Sequence, residues 1–352
     1  MANLTFHNVG ISGLAAAVPK NIVDNYNYIE HFDAEAVKDL VDKVGIKQRR
    51  FAPKGMCASD LCFAAATQLI EDMKINKSEI DLLIFISQTP DYRMPATSII
   101  LQEKLGLGKQ VAAFDISLGC SAFVYGLSVV YALMQTGGFR KALLLDGETR
   151  SRIYSPKDRK TAFLFGDGGV AAIIENDEKY GVSHFSLNSD GSLSDLIKVD
   201  AGGYRNPTTI ETLTEKIVDE FGNVRSDEHG YMNGPDVFNF AIREVPKDVK
   251  KVLEMANLEL SAIDYAVFHQ ANDYMNGYLA KKLKLQPEQV PSCIEKFGNT
   301  SSVSIPLTIA TQLQNKFDKP KKMILSGFGV GMSWATAFLT LDNCKISDLV
   351  EI

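Results

Sequence analysis

A cysteine, a histidine and an asparagine stand where one kind of segment gives way to another. Cys120 follows Gly119 and opens a long apolar stretch with helical spacing that runs through Met134. At the mouth of a helix the unpaired backbone N–H groups and the positive end of the dipole stabilise a thiolate, which makes a cysteine there a candidate nucleophile. The same position also suits a buried core thiol, a common fate of free cysteine. His269 ends the apolar run that begins at Ile263 and is followed by the polar Gln270-Ala-Asn-Asp273. A lone histidine is most often structural; one at the end of a strand lies where ligands of α/β sheets collect. Asn299, within Phe297-Gly-Asn-Thr-Ser-Ser302, suits a helix cap, and a cap presents its side chain at the helix mouth. Cys57, Cys62, Cys293 and Cys344 have no such setting and read as core or surface residues. His7, His31, His184 and His229 have no spacing suited to metal binding.

The elements that would position these residues recur. Ile80-Asp-Leu-Leu-Ile-Phe-Ile86 and Ile263-Asp-Tyr-Ala-Val-Phe268 share a buried-strand pattern and begin 183 residues apart. Cys120 and Asn299 open comparable helical stretches 179 residues apart, the second running to about Leu313. Lys141-Ala-Leu-Leu-Leu-Asp-Gly147 matches Lys321-Lys-Met-Ile-Leu-Ser-Gly327 at a separation of 180. Three matches in one order at a nearly constant offset indicate a duplicated α/β unit, divided as 1–176 and 177–352. Short aliphatic strands alternating with helices predict parallel strands joined by crossover helices. A pseudo-twofold pair of such units brings equivalent strand ends together, so chemistry is expected after Ile86 and Phe268, at the helix starts of Cys120 and Asn299, and in the loops after Gly147 and Gly327. The polar stretch from Ser192 to Gly230 matches nothing in the first half and reads as an insertion of short elements. Gly166-Asp-Gly-Gly169 and Gly327-Phe-Gly-Val-Gly331 fit neither dinucleotide nor P-loop fingerprints, and are read as points of close backbone approach or of an N–H offered to a ligand.

Composition narrows the class. The 352 residues are 45% hydrophobic and 23% charged, with a net charge of −6 at pH 7, ordinary for a globular chain and unsuited to tracking nucleic-acid phosphates. No apolar run reaches the roughly 18 residues that span a bilayer, and the N-terminus lacks the pattern of a signal peptide. Five sparse cysteines argue against a disulfide framework. The expectation is a cytoplasmic protein that binds neither nucleic acid nor membrane.

With these segments in view, the chain resembles the β-ketoacyl-acyl carrier protein synthase III family of the thiolase superfamily nearly end to end. The likeness rests on Val44-Gly-Ile-Lys-Gln-Arg-Arg50, Gln88-Thr-Pro-Asp-Tyr-Arg-Met-Pro95, Asp115-Ile-Ser-Leu-Gly-Cys-Ser-Ala-Phe-Val-Tyr-Gly126, Phe165-Gly-Asp-Gly168, His269-Gln-Ala-Asn272, Phe297-Gly-Asn-Thr-Ser-Ser302 and Gly327-Phe-Gly-Val-Gly-Met-Ser-Trp334. The resemblance implies a thiolase-like fold of two pseudo-twofold α/β halves in five layers, αβαβα. It implies a ping-pong condensation in which Cys120 takes an acyl group from a thioester. His269 and Asn299 then stabilise the enolate formed as malonyl-acyl carrier protein loses carbon dioxide. It assigns the oxyanion hole to the backbone N–H groups of Cys120 and Val330, and substrate contacts to Met94, Arg159 and Asn272. Lys281 and Lys282 become the docking patch for acyl carrier protein, although two lysines on a helix equally suit a solvated face. No metal or redox cofactor is expected; coenzyme A or phosphopantetheine thioesters are substrates, and the family's homodimer places Met94 beside the partner's acyl pocket.

Several positions depart from the family pattern. Asp39 stands where a tryptophan usually stacks on adenine, and the only tryptophan is Trp334. Gly119, Ser121 and Ala122 replace the common Ala, Ala and Gly around the nucleophile, and Tyr274 replaces a carrier-docking arginine. These differences bear on the substrate rather than on the chemistry: the donor's carrier, and a place in fatty acid or in secondary-metabolite synthesis, stay open. Two other readings compete with condensation. One is a related acyltransferase that hands the acyl group to an alcohol or amine; the other is a silent partner subunit, which predicts loss of the nucleophile that Cys120 in fact supplies. The segment Gln88–Pro95 carries no glutamate to act as the extra base of hydroxymethylglutaryl-CoA-type condensation.

Overall fold

Strand Ile80–Ile86 is apolar apart from Asp81 and buried along nearly its whole length, as a parallel strand covered on both faces must be. It pairs in parallel with Ala112–Ile116 on one side and Lys141–Thr149 on the other. Asp167–Asn176 and then Val9–Val18 continue the sheet antiparallel. The second half repeats this plan: Tyr265–Phe268 runs parallel to Lys321–Gly329, followed by antiparallel Ser333–Leu341 and Val182–Ser189. The sheets are therefore mixed rather than purely parallel. Only residues 330–332 link Lys321–Gly329 to Ser333–Leu341, and so short a link can join only antiparallel neighbours. The structure is a computed structural model and describes residues 2–352.

Helix Ala122–Met134 is apolar on every side because it lies between the two sheets. It shares that layer with helix Ser304–Gln312, and Phe123, Leu127 and Leu307 meet Leu144 from one sheet and Leu325 from the other. Helix Ala58–Asp72 covers the outer face of the first sheet, packing Leu61, Ala65 and Leu69 on Leu83 and Phe85. Helices Gly234–Ala256 and Asp273–Leu283 cover the outer face of the second through Phe240, Val249 and Leu279. Helix Gly234–Ala256 is amphipathic where the central one is not, since one of its sides meets water. The result is the five-layered αβαβα arrangement that the resemblance implies.

The two termini exchange sheets. Strand Ala2–His7 pairs with Val182–Ser189 of the second sheet, while Lys345–Ile346 and Val350–Glu351 pair with Val9–Val18 of the first. A division into 1–176 and 177–352 therefore cuts across the hydrogen-bonded sheets at both chain ends. Residues 191–232 form short elements, among them two pairs of strands: Ile197–Val199 with Gly230–Met232, and Lys216–Ile217 with Val224–Arg225. Among the described residues no helix is long and apolar enough to cross a membrane.

Candidate active site

Cys120 sits in the turn between strand Ala112–Ile116 and helix Ala122–Met134, only 5% exposed. The turn after strand Lys321–Gly329 lies directly against it, which glycine makes possible. A Cβ on Gly329, whose φ is +156°, would come within 2.8 Å of Cys120 Sγ, and one on Gly327 within 2.9 Å of Cys120 O. A Cβ on Gly119 would collide with Val330 at 2.2 Å and with Gln88 Oε1 at 2.6 Å, so the glycine that departs from the family pattern answers to these two neighbours. This packing sets Val330 beside the nucleophile. Neither the Cys120 nor the Val330 backbone N–H meets a backbone acceptor among the described residues, which leaves both free for an oxyanion. Gly166 and Gly169 likewise mark close approach, against Phe297 O and Cys62 N.

His269 directly follows strand Tyr265–Phe268, its N–H donating to Ser326 O at 2.8 Å. Its Nδ1 lies 2.8 Å from Ser304 Oγ and 3.1 Å from Ser301 O, so the outer ring nitrogen is anchored and Nε2 is left for the cavity. The Ser304 hydroxyl can donate to Ser301 O, at 2.7 Å, or turn to Nδ1; the second orientation holds the tautomer with a proton on Nε2. Asn299 is not the cap of the following helix. A 3₁₀ turn at Ser301–Val303 intervenes, and helix Ser304–Gln312 begins five residues later. Its Oδ1 accepts the Ser301 N–H at 2.9 Å, which leaves Nδ2 as a donor. Cys120, His269, Asn299 and Asn272 line one cavity.

The electrostatics single out one thiol. Burial by itself pushes Cys120 up, but the charge and hydrogen bond of His269, with help from Arg150 and Ser301, overcome it and bring the thiol down to about 6. The other four move the opposite way, chiefly through burial, with Cys293 and Cys344 pushed up to about 12. All five are unpaired. A depressed thiol is what a nucleophile working near neutrality requires.

A buried polar cluster beneath Cys120 escaped the sequence reading. Glu148 is fully buried; it accepts from Gln88 N at 3.1 Å and from Thr89 Oγ1 at 3.0 Å, so a glutamate does reach the Gln88–Pro95 segment, from another strand. Both its oxygens anchor that loop. Asp146, also fully buried, accepts from Ser302 Oγ at 2.6 Å, and burial holds its carboxyl well above the usual carboxylate range. Arg150 lines the cavity beside Cys120. The available signal was Asp146-Gly-Glu-Thr-Arg150, charged residues closing an apolar strand in one of the loops where chemistry was expected.

The remaining predicted residues lie apart. Asn272 lines the cavity while its Oδ1 caps helix Asp273–Leu283 through Met275 N. Met94 is 76% exposed and is not part of the lining of the cavity that holds Cys120. Arg159 lies in a separate surface groove with Lys157, Phe32 and Phe221, the last 68% exposed. Asp39 is exposed on helix Ala34–Val44 and does not line that groove; aromatic rings stand there from other segments. Lys281 and Lys282 are exposed at the end of helix Asp273–Leu283, and Lys282 Nζ donates to Ile242 O at 2.7 Å. Tyr274, 5.5 Å from Phe238 and stacked on it, is likewise exposed.

Comparison with known proteins gives this geometry its family. Residues 114–191 match the family model of 3-oxoacyl-[acyl-carrier-protein] synthase III, and residues 253–341 match the model of its C-terminal part. A β-ketoacyl-[acyl-carrier-protein] synthase III of Clostridioides difficile is 36% identical over 329 residues, 93% of this chain and 97% of that protein. The chain belongs to the β-ketoacyl-acyl carrier protein synthase III family. Within the family, the crystal structure of a 3-oxoacyl-(acyl-carrier protein) synthase from Burkholderia xenovorans superposes with a TM-score of 0.93 at 38% identity, covering 100% of this chain and 99% of that one. The priming β-ketosynthase of the R1128 polyketide pathway superposes at 0.82 with 25% identity, over 96% and 98% of the two chains.

Proposed function

We propose that the chain condenses an acyl thioester with malonyl-acyl carrier protein, working in the cytoplasm, where five unpaired thiols stay reduced. The observation that carries this reading is the one depressed thiol, Cys120, sharing a cavity with two side-chain donors, His269 and Asn299. Cys120 Sγ attacks the thioester carbon; the S–C bond to the enzyme forms, and the carrier thiol leaves with the proton held by the Cys120–His269 pair. The malonyl thioester then enters. Its C–C bond to the carboxylate breaks, carbon dioxide leaves, and the electrons collect on an enolate whose oxygen accepts from His269 Nε2–H and Asn299 Nδ2–H. The enolate carbon attacks the acyl-enzyme, the N–H groups of Cys120 and Val330 hold the tetrahedral oxyanion, and its collapse releases the β-ketoacyl thioester and the thiolate. Loss of carbon dioxide supplies the carbanion equivalent, so the scheme has no step for a metal or redox cofactor.

The Arg159 groove, with its exposed Phe221 and nearby Lys157, suits the nucleotide end of a coenzyme A donor, and Lys281 suits the acidic carrier protein. The test is incubation with an acyl-CoA and malonyl carrier protein, following carbon dioxide release and product mass. Equal yields of β-ketoacyl carrier and carbon dioxide are expected. Acyl transfer to an alcohol or amine without carbon dioxide would replace condensation with the simpler transfer.

A second copy of the chain completes the proposal. Strand Ala112–Ile116 ends its sheet and pairs on one side only, with Phe114 37% exposed on it. Ile99 is exposed on helix Thr97–Lys104, whose first N–H groups donate to Asp115 of that strand, and Tyr92 and Met94 are exposed in the preceding loop. An open edge flanked by apolar side chains invites a partner strand. Sedimentation is expected to give twice the 38.7 kDa chain mass, and Phe114→Arg to reduce it to one. A wild-type protein that sediments as a single chain would sink the dimer.

A further inference from the structure

Arg150 is part of the site, yet the condensation described above gives it no substrate to hold. It lies one residue beyond strand Lys141–Thr149, is 5% exposed, and lines two adjoining cavities. One contains Cys120, His269 and Asn299; the other is bounded by Gln88, Ile153, Val199 and Val330. Tyr154 and Phe165 stack on each other at 3.9 Å, and each ring centre lies 6.0 Å from the guanidinium carbon. Nη1 donates to Gln88 Oε1 at 3.2 Å, while Nε is buried with no acceptor. The neighbouring acid, Glu148, is already committed to Gln88 N and Thr89 Oγ1.

A buried guanidinium with unspent donors is costly unless an anion meets it. In the free enzyme the Cys120 thiolate lines the same cavity and joins Glu148 among the negative charges that act on Arg150. Acylation removes that negative charge, and a guanidinium cannot give up its proton in response. An acyl group carrying its own anion would restore the balance at the moment it is lost. The geometry points to an acyl donor that is the half-thioester of a short dicarboxylic acid, whose free carboxylate pairs with Arg150 while its thioester carbon meets Cys120 Sγ. The inference rests on the acyl-enzyme reading above. In that step the Cys120 S–C bond forms, the donor's C–S bond breaks, the carrier thiol leaves with the proton of the Cys120–His269 pair, and the distal carboxylate remains ionised. The malonyl carboxylate is a poorer match. An ion pair to a group that must depart as carbon dioxide stabilises the ground state and raises the barrier.

The test measures acylation rates by intact mass with succinyl-CoA and glutaryl-CoA beside butyryl-CoA and pentanoyl-CoA. The wild-type protein is compared with Arg150→Leu and Arg150→Lys. Wild type is expected to prefer each carboxylated donor over its neutral counterpart by about tenfold or more, Arg150→Leu to invert the preference, and Arg150→Lys to keep part of it. Because each ratio compares two donors on one protein, any effect of Arg150 on the Cys120 thiolate cancels. If the leucine variant does not fold, the wild-type and lysine ratios still decide. Neutral donors acylating wild type as fast as carboxylated ones would overturn the inference and leave the acyl-enzyme intact. A raised KM for malonyl carrier protein with unchanged donor ratios would also overturn it, assigning Arg150 to the extender. A protein that no donor acylates would overturn both this inference and the proposed function.

Discussion

Cys120→Ala forms no acyl-enzyme from any donor, and the mass increase seen with the wild-type chain disappears. The expected loss in turnover is about 10⁴-fold or more, the scale on which removing a nucleophile is felt in enzymes whose catalytic residues act as a unit. None of the other four thiols can substitute, because burial raises each of them while Cys120 alone is brought down to about 6. The sign of the pH dependence follows. The reactive form is the deprotonated one, so acylation should rise about tenfold per pH unit below about 6 and level off above it. Stopped-flow acylation across pH 4.5 to about 9, a range chosen to bracket both the depressed and the ordinary thiol, checks the limb. A midpoint near the ordinary thiol value, or a mass increase that survives in Cys120→Ala, would remove Cys120 as the nucleophile.

Asn299→Ala and His269→Ala should separate the two half-reactions, and in different ways. Asn299 spends its Oδ1 on Ser301 N and offers only Nδ2 to the cavity, and it is not among the groups that lower the Cys120 thiol. Its alanine variant should therefore acylate at the wild-type rate and condense about 10² to 10³ times more slowly, the cost of losing one oxyanion donor. His269 acts twice: it supplies the largest influence that brings Cys120 down and it faces the enolate. In His269→Ala the acylation limb should move to higher pH, so that alkaline conditions restore acylation while condensation stays slow. Single-turnover assays with preformed acyl-enzyme and malonyl carrier protein read the second step alone. Equal losses in both steps for Asn299→Ala, or condensation recovered by alkali in His269→Ala, would contradict the division of roles.

The contrast between these two residues marks how far local pattern carries. The duplicated unit was legible in sequence because core-facing strands must repeat their apolar runs, and the matches at Ile80 and Ile263, and at Lys141 and Lys321, became equivalent strands. Cys120, His269 and Asn299 were legible because each interrupts an apolar element at its end, and the two sheets place those ends around one cavity. Strand direction was not legible in the same way: an aliphatic strand looks alike in parallel and antiparallel neighbours, and the deciding feature is the three-residue link at 330–332. The exchange of Ala2–His7 and the C-terminal strands between sheets was hidden because backbone pairing leaves no mark on side-chain spacing.

Sequence by itself determined the duplicated α/β architecture and singled out Cys120, His269 and Asn299 as candidates, because periodicity and interruptions are local properties. Only the tertiary structure decided which groups tune them. Arg150 and Glu148 read as ordinary strand-end charges until the fold buries both beside Cys120, and Ser304 reads as a helix residue until its hydroxyl meets His269 Nδ1 at 2.8 Å. Burial turns such groups from solvated charges into fields acting at short range in a low dielectric, and burial belongs to the packed layers rather than to any one segment.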